Sequence, residues 1–185
     1  MRDVFKRYTT NFTLTGDLKQ DIITFLESNN FSLTAQHSCK VAKEAKRLAE
    51  TFNRDGDIAF SAGLLHDISA VFPNQDRAVI LERLGLDVLE EENVFPLIAH
   101  QRISRVMAEE IFNITNEEIL SAVECHTTLK SNSSIMDQIV FVADKIEWDQ
   151  AGVPPYINKI HSQLKISFSH AAFAYIDYLW ERRNT

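Results

Sequence analysis

Four histidines, at positions 37, 66, 100 and 126, fall within or beside strongly apolar, helically periodic segments. Two aspartates stand in equally unusual places. Asp67 follows Leu64-Leu65-His66, and Asp144 interrupts the apolar run at 139–143. A carboxylate buried without a partner is expensive, so each needs a cation. Imidazole nitrogen mixed with carboxylate oxygen is a natural ligand set for zinc, iron, manganese or nickel. Two histidines and two aspartates can serve one ion. His100 and His126 can serve a second, with one aspartate bridging. Taken singly, each residue also reads as an ordinary core histidine or helix-end aspartate; six on five separate segments make the pattern.

Those segments must be helices. Asp17 can cap a first helix with Ile22, Phe25 and Leu26 on its apolar stripe. A second, starting near Ser32 or Thr34, carries Val41, Ala45, Leu48 and Ala49, with His37 one turn ahead on the same face. A third, after Asp57, is apolar nearly all round, which marks it as central, and it ends at His66 and Asp67. Residues 76–84 form a short helix stopped by Gly85, residues 86–98 one or two short pieces, and the period resumes over 102–112. Thr115-Asn116-Glu117-Glu118 has the form of a capping box before the segment of Ile119, Val123 and His126. Ser133 or Ser134 opens the helix of Asp144. The chain closes with a helix bearing Phe173, Ile176, Leu179 and Trp180. No segment alternates with period two, so the expected fold is all-α: a lead-in over 1–16 and one helical domain over 17–185.

Composition narrows the chemistry. The 185 residues are 45% hydrophobic and 24% charged, as in an ordinary globular domain. The formal charge of −7 and the absence of any Lys/Arg-rich run argue against a nucleic-acid polymer as partner. A small phosphorylated ligand is compatible, because metal ions supply positive charge locally. Cys39 and Cys125 form no CxxC pair. Cys125, beside His126, reads as a buried thiol, since helix neighbours point roughly 100° apart. The first residues lack the apolar core of a signal peptide and no stretch is long enough to span a bilayer, so no membrane is expected and the expected location is cytoplasmic.

The order His37, His66-Asp67, Asp144 resembles the H…HD…D signature of the HD-domain superfamily, and His100 and His126 resemble the additional ligands of its dinuclear members. The segments QHSCKVAKEAKRLA, AGLLHDIS, AVECHTTLK and VFVADKIE are similar to the YqeK-type branch, and the likeness runs over roughly residues 18–180. The resemblance implies a compact helical bundle and a symmetrical diadenosine-tetraphosphate hydrolase that releases two ADP. It implies metal-ligand roles for His37, His66, Asp67, His100, His126 and Asp144, with Asp67 as the bridge. It also implies two divalent or mixed-valence metal ions, iron first, with manganese, nickel or zinc as alternatives. Asp67 and Lys145 are assigned to the reaction itself. Lys145 is the first candidate phosphate contact, with Arg102, Arg105 and Lys130 behind it, and Thr127 and Thr128 are further substrate contacts or orient His126. The chain departs from the branch around these ligands. Ala70 stands where a lysine is usual, Gln101 and Ser104 replace glycines, Leu129 replaces the glycine after His126-Thr127-Thr128, and Trp148 replaces a proline. Two other readings therefore stay open: hydrolysis of another nucleotide or small phosphoester, and a non-catalytic nucleotide-binding protein. The closing helix, with Tyr175, Tyr178 and Trp180, offers either a homodimer surface or a cap on the monomer.

Overall fold

The computed structural model of the chain describes residues 1–10 and 12–183; Asn11 of the lead-in and residues 184–185 of the expected domain lie outside the described residues. The described residues form α1 (Asp3–Lys6), α2 (Leu18–Ser28), α3 (Ser32–Thr51), α4 (Gly56–Leu65), α5 (Arg77–Arg83), α6 (Glu90–Val94), α7 (His100–Glu110), α8 (Glu117–Cys125), α9 (Ile135–Ile146), α10 (Ile157–Leu164) and α11 (Phe168–Glu181). Short 3-10 turns at Ile68–Val71, Asn74–Asp76 and Pro96–Ala99 join them, and no strand occurs among the described residues. The all-α expectation holds.

Local chemistry accounts for most boundaries. The Asp17 carboxylate accepts from the Gln20 backbone N–H at 3.0 Å and opens α2. Asp55, not Asp57, caps α4 by accepting from the N–H groups of Asp57 and Ile58, so that helix starts earlier than its apolar pattern suggests. The expected box at Thr115 is corrected too. The Asn116 side chain accepts from Glu118 and Ile119, which leaves Thr115 outside the helix. A reciprocal capping box does form one helix later, between Ser134 and Asp137.

α4 is the hub. It packs most extensively on α3, and also meets α8, α9, α2 and α7. Gly63 makes the closest approach. A Cβ built there would lie 2.6 Å from the Ala42 Cα and 2.9 Å from its N, both backbone atoms of α3. The lead-in packs on this body through Phe5, which is fully buried, and through Tyr8, whose ring meets Phe72 edge-on at 4.7 Å. In α11 the apolar residues divide. Phe168, Ala171 and Ala172 are buried, and Tyr175 and Tyr178 pack against the core, while Phe173, Ile176, Leu179 and Trp180 face solvent. Phe168 and the small Ala171 and Ala172, rather than Phe173, Ile176, Leu179 and Trp180, form the face laid on the body. No helix among the described residues is long and apolar enough to cross a membrane.

Gly63→Ala is expected to force α3 and α4 apart at a cost of about 1–3 kcal/mol, lowering the melting temperature by several degrees. Adding Ala42→Gly is expected to give no rescue, because the obstructing atoms are backbone. Thermal unfolding of the single and double variants checks both, and restored stability in the double variant would refute this packing.

Candidate metal centre

The six ligand candidates converge from five elements at the carboxyl ends of α4, α8 and α9. His66 and His126 are the C-caps of α4 and α8, and Asp144 lies in the last turn of α9. Helix carboxyl ends carry free carbonyls and the negative end of the dipole, so three of them turned towards one point favour a cation there. His37 enters from the early turns of α3. His100 is the first residue of α7, two residues ahead of the expected start, because the 3-10 turn Pro96–Ala99 runs directly into that helix.

One hydrogen bond recurs at three of the histidines. Nδ1 of His66 donates to the carbonyl of Gly63 at 2.8 Å, that of His126 to Val123 at 2.8 Å, and that of His100 to Leu97 at 2.5 Å. A carbonyl only accepts, so each Nδ1 carries the proton and each Nε2 presents its lone pair to the centre.

The Nε2 atoms and carboxylate oxygens sort into two groups around Asp67. Its Oδ2 lies 3.3 Å from His66 Nε2, while its Oδ1 lies 3.1 Å from His100 Nε2 and 3.5 Å from His126 Nε2. Asp144 Oδ1 lies 3.1 Å from His37 Nε2 and 3.6 Å from His66 Nε2. His37, His66 and Asp67 therefore form one cluster of donor atoms, and Asp67, His100 and His126 a second. The donors fit metal ions on two independent counts. His66 Nε2 is fully buried and, beyond the carboxylate contacts just given, has no hydrogen-bond partner among the described residues. Nε2 of His100 and His126 face each other at 2.8 Å with both Nδ1 protons committed elsewhere, an approach that needs a cation between the lone pairs. Burial disfavours charge on His66, but Asp67 and Asp144 outweigh it and raise its pKa to about 10. Burial prevails at His126, pushed down to about 4. Asp67 and Asp144 are held well below the usual carboxylate range: burial opposes their charge, and the surrounding histidines and Lys145 more than compensate.

The centre opens into a cleft of about 350 Å³ that Arg77, Leu97, Thr127, Trp148, Tyr156 and Tyr175 also line. Lys145 also lines it, with Nζ 2.6 Å from Asp144 Oδ2, and Thr127 Oγ1 lies 3.2 Å from His100 Nε2. The other basic and hydroxyl candidates stand elsewhere. Arg102 donates to Glu92 at 2.7 Å and to the Asp87 carbonyl; Arg105 engages Glu109, Glu117 and Glu124; Lys130 reaches Ser121 and Asp137. None of these three lines the cleft, and neither does Thr128. Arg77 was missed. It opens the short helix α5 after a polar stretch, and nothing in its local pattern marks it as buried. Cys125 is a buried thiol that donates to the Ser121 carbonyl, and burial lifts its pKa to about 12.

Residues that depart from the resembled pattern tie the ligand segments together. Gln101 Oε1 accepts from the backbone N–H groups of Thr127 and Thr128, and its Nε2 donates to Thr128 Oγ1 at 2.8 Å, joining α7 to the turn after His126. Ser104 bonds Ser69, whose hydroxyl donates to the His100 carbonyl at 2.7 Å. Leu129 keeps a left-handed backbone, φ 57°, in the place of the glycine that would adopt it freely. Its N–H closes the turn on the Cys125 carbonyl at 2.8 Å.

Gln101→Ala is expected to leave the fold intact and weaken metal retention by about 10–100-fold, the range for loss of an outer-shell partner; metal analysis after dialysis against graded chelator reads it, and unchanged retention would refute the role. Metal uptake is also expected to displace the His66 proton. Apparent affinity should then rise by up to about tenfold per pH unit as pH climbs towards about 10, with proton release seen by calorimetry in buffers of different ionisation enthalpy. The same shift predicts a metal-free protein whose His66 contribution is complete below about pH 6.5 and declines as pH rises to about 10, since the unfolded imidazole loses its proton first. Metal affinity that does not change with pH would remove His66 from the ligand set.

Comparison with known proteins agrees with this geometry. A protein of Lactococcus lactis subsp. cremoris, described only as an uncharacterized protein in the pepC 5' region, is 49% identical over 121 residues, 65% of this chain and 62% of that one. A symmetrical bis(5'-nucleosyl)-tetraphosphatase of Staphylococcus aureus is 31% identical over 113 residues, 60% of this chain and 57% of that one. The chain thus matches about 60% of the length of these relatives. A crystal structure from Clostridium acetobutylicum, titled a predicted HD superfamily hydrolase involved in NAD metabolism, shares the fold with a TM-score of 0.79 at 24% identity, covering 92% of this chain and 87% of that one. Residues 34–149, well over half of the chain and a span that includes all six convergent histidines and aspartates, match the HD domain. The chain belongs to the HD domain family.

Proposed function

We propose that the chain is a metal-dependent phosphohydrolase that cleaves diadenosine tetraphosphate symmetrically into two ADP. The observation that carries this reading is Asp67, whose two carboxylate oxygens face different histidine groups, as a residue shared by two metal ions would. His37, His66 and Asp144 complete one half and His100 and His126 the other. Four imidazoles and two carboxylates suit iron, our first choice, and also manganese, nickel or zinc.

A metal pair in such a site supplies a water acidified to a pKa of ~7 and positive charge for the phosphate oxygens. The chain's own residues do the rest. The three Nδ1–carbonyl bonds fix the imidazole planes, so the centre needs no rearrangement on binding. Lys145, buried and held charged by Asp144 against the cost of burial, faces the cleft as a phosphate contact. Thr127 offers a hydroxyl beside His100. Trp148 and Tyr156, edge-to-face at 5.8 Å, give the cleft an aromatic surface for a nucleobase. Support for this substrate also comes from the relative named a symmetrical bis(5'-nucleosyl)-tetraphosphatase.

The test is a product assay on protein purified without chelators, with diadenosine tetraphosphate, GTP, dNTPs and simple monophosphates as substrates. ADP as sole product from diadenosine tetraphosphate is expected. Two equivalents of bound metal with no turnover of any of them would sink the reading. Asp67→Ala should lose both metals and reduce kcat/KM well beyond the ~100-fold typical of an outer-shell change; full metal content in that variant would show that Asp67 is not the bridge.

A further inference from the structure

The cleft holds two cationic side chains, and they are in opposite situations. Lys145 is matched by Asp144 at 2.6 Å. Arg77 is only 5% exposed, yet it makes no ion pair among the described residues. Among the described residues it makes one hydrogen bond, from Nη1 to the Leu97 carbonyl at 2.9 Å, and its buried Nε finds no partner there. Burial works against the charge; Asp67 is the carboxylate that favours it, though not at ion-pair distance. A guanidinium in that position is costly without an anion. It is also a rigid fork whose geometry matches phosphate oxygens. Ala70, which lines the same cleft, contributes only a methyl there.

We propose that Arg77 is a substrate-binding residue that takes a phosphate or pyrophosphate group entering the cleft beside Asp67. The inference deepens the phosphohydrolase reading and rests on it for the identity of the substrate, though not for the class of ligand. Arg77 lines the same cleft as Asp67, His100 and Thr127, so an anion it holds lies next to the His100–His126 half of the centre. One competing role is specific. The Leu97 carbonyl that accepts from Arg77 also accepts from His100 Nδ1, so Arg77 could act only by positioning that ligand.

The experiment separates the two roles with inorganic pyrophosphate as probe, titrated calorimetrically into the metal-loaded protein, with metal content measured on each variant. Arg77→Gln is expected to keep its metals and bind pyrophosphate about tenfold or more weakly, the scale of a lost charge-assisted bond. Arg77→Lys, which keeps charge but not the fork, is expected to fall between, and it decides the matter should the glutamine variant fail to fold. Either folded, metal-loaded variant binding as tightly as the parent overturns the proposal. Metal loss in Arg77→Lys overturns it as well, and assigns Arg77 to His100 positioning instead. Failure of the parent protein to turn over any nucleotide would count against the phosphohydrolase reading alone, because the pyrophosphate titration does not depend on turnover.

Discussion

The site depends on one hydrogen bond used three times: an imidazole Nδ1–H returned to the carbonyl three residues earlier. At α4 and α8 it gives a donor to a carbonyl of the last helical turn, and at all three histidines it fixes which nitrogen is available for a cation. Capping and ligation are therefore the same interaction. Because the helices end where the histidines begin, α4 and α8 and the turn before α7 deliver lone pairs to one point without any loop to arrange them. Gly63 unites the two scales, since it lets α4 lie against α3 and supplies the carbonyl that orients His66.

Around this arrangement the chain has exchanged glycines for side-chain contacts. Gln101 fastens the turn after His126 to α7, and the Ser69–Ser104 pair fastens the segment after Asp67 to the same helix. These bonds join the three stretches that carry Asp67, His100 and His126. The effect is to hold the second half of the centre by specific hydrogen bonds, while the first half is held by the packing of α3, α4 and α9.

Much of this was legible in the sequence. The all-round apolar character of residues 58–65 marked α4 as central, and charged or polar groups in apolar surroundings singled out the six ligand candidates, because burial without a partner is too costly to be accidental. What stayed hidden depended on distance in space. Glu92, which holds Arg102, and Glu117 and Glu124, which hold Arg105, stand on other elements, and only Glu109 of α7 is a local partner, so the sequence did not show how fully both are engaged. Arg77 is buried by the turn Pro96–Ala99, some 20 positions away, a contact no local periodicity encodes. In α11 the residues named from the sequence, Phe173, Ile176, Leu179 and Trp180, face solvent, and Phe168, Ala171 and Ala172 lie inward. Capping choices at Asp55 and Asn116 differed by one or two residues from the pattern, where several acceptors compete for the same N–H groups.

Leu129 shows what is kept when a turn changes its composition. A leucine in the left-handed region works against its own conformational preference, and here it does so in a turn whose two preceding N–H groups are tied to Gln101. The shape of the chain at that point is imposed by its neighbours, not by the residue occupying it. Backbone form can thus outlast the amino acid that first made it easy, and a comparison of such chains by curvature would group them where a comparison by glycine would divide them.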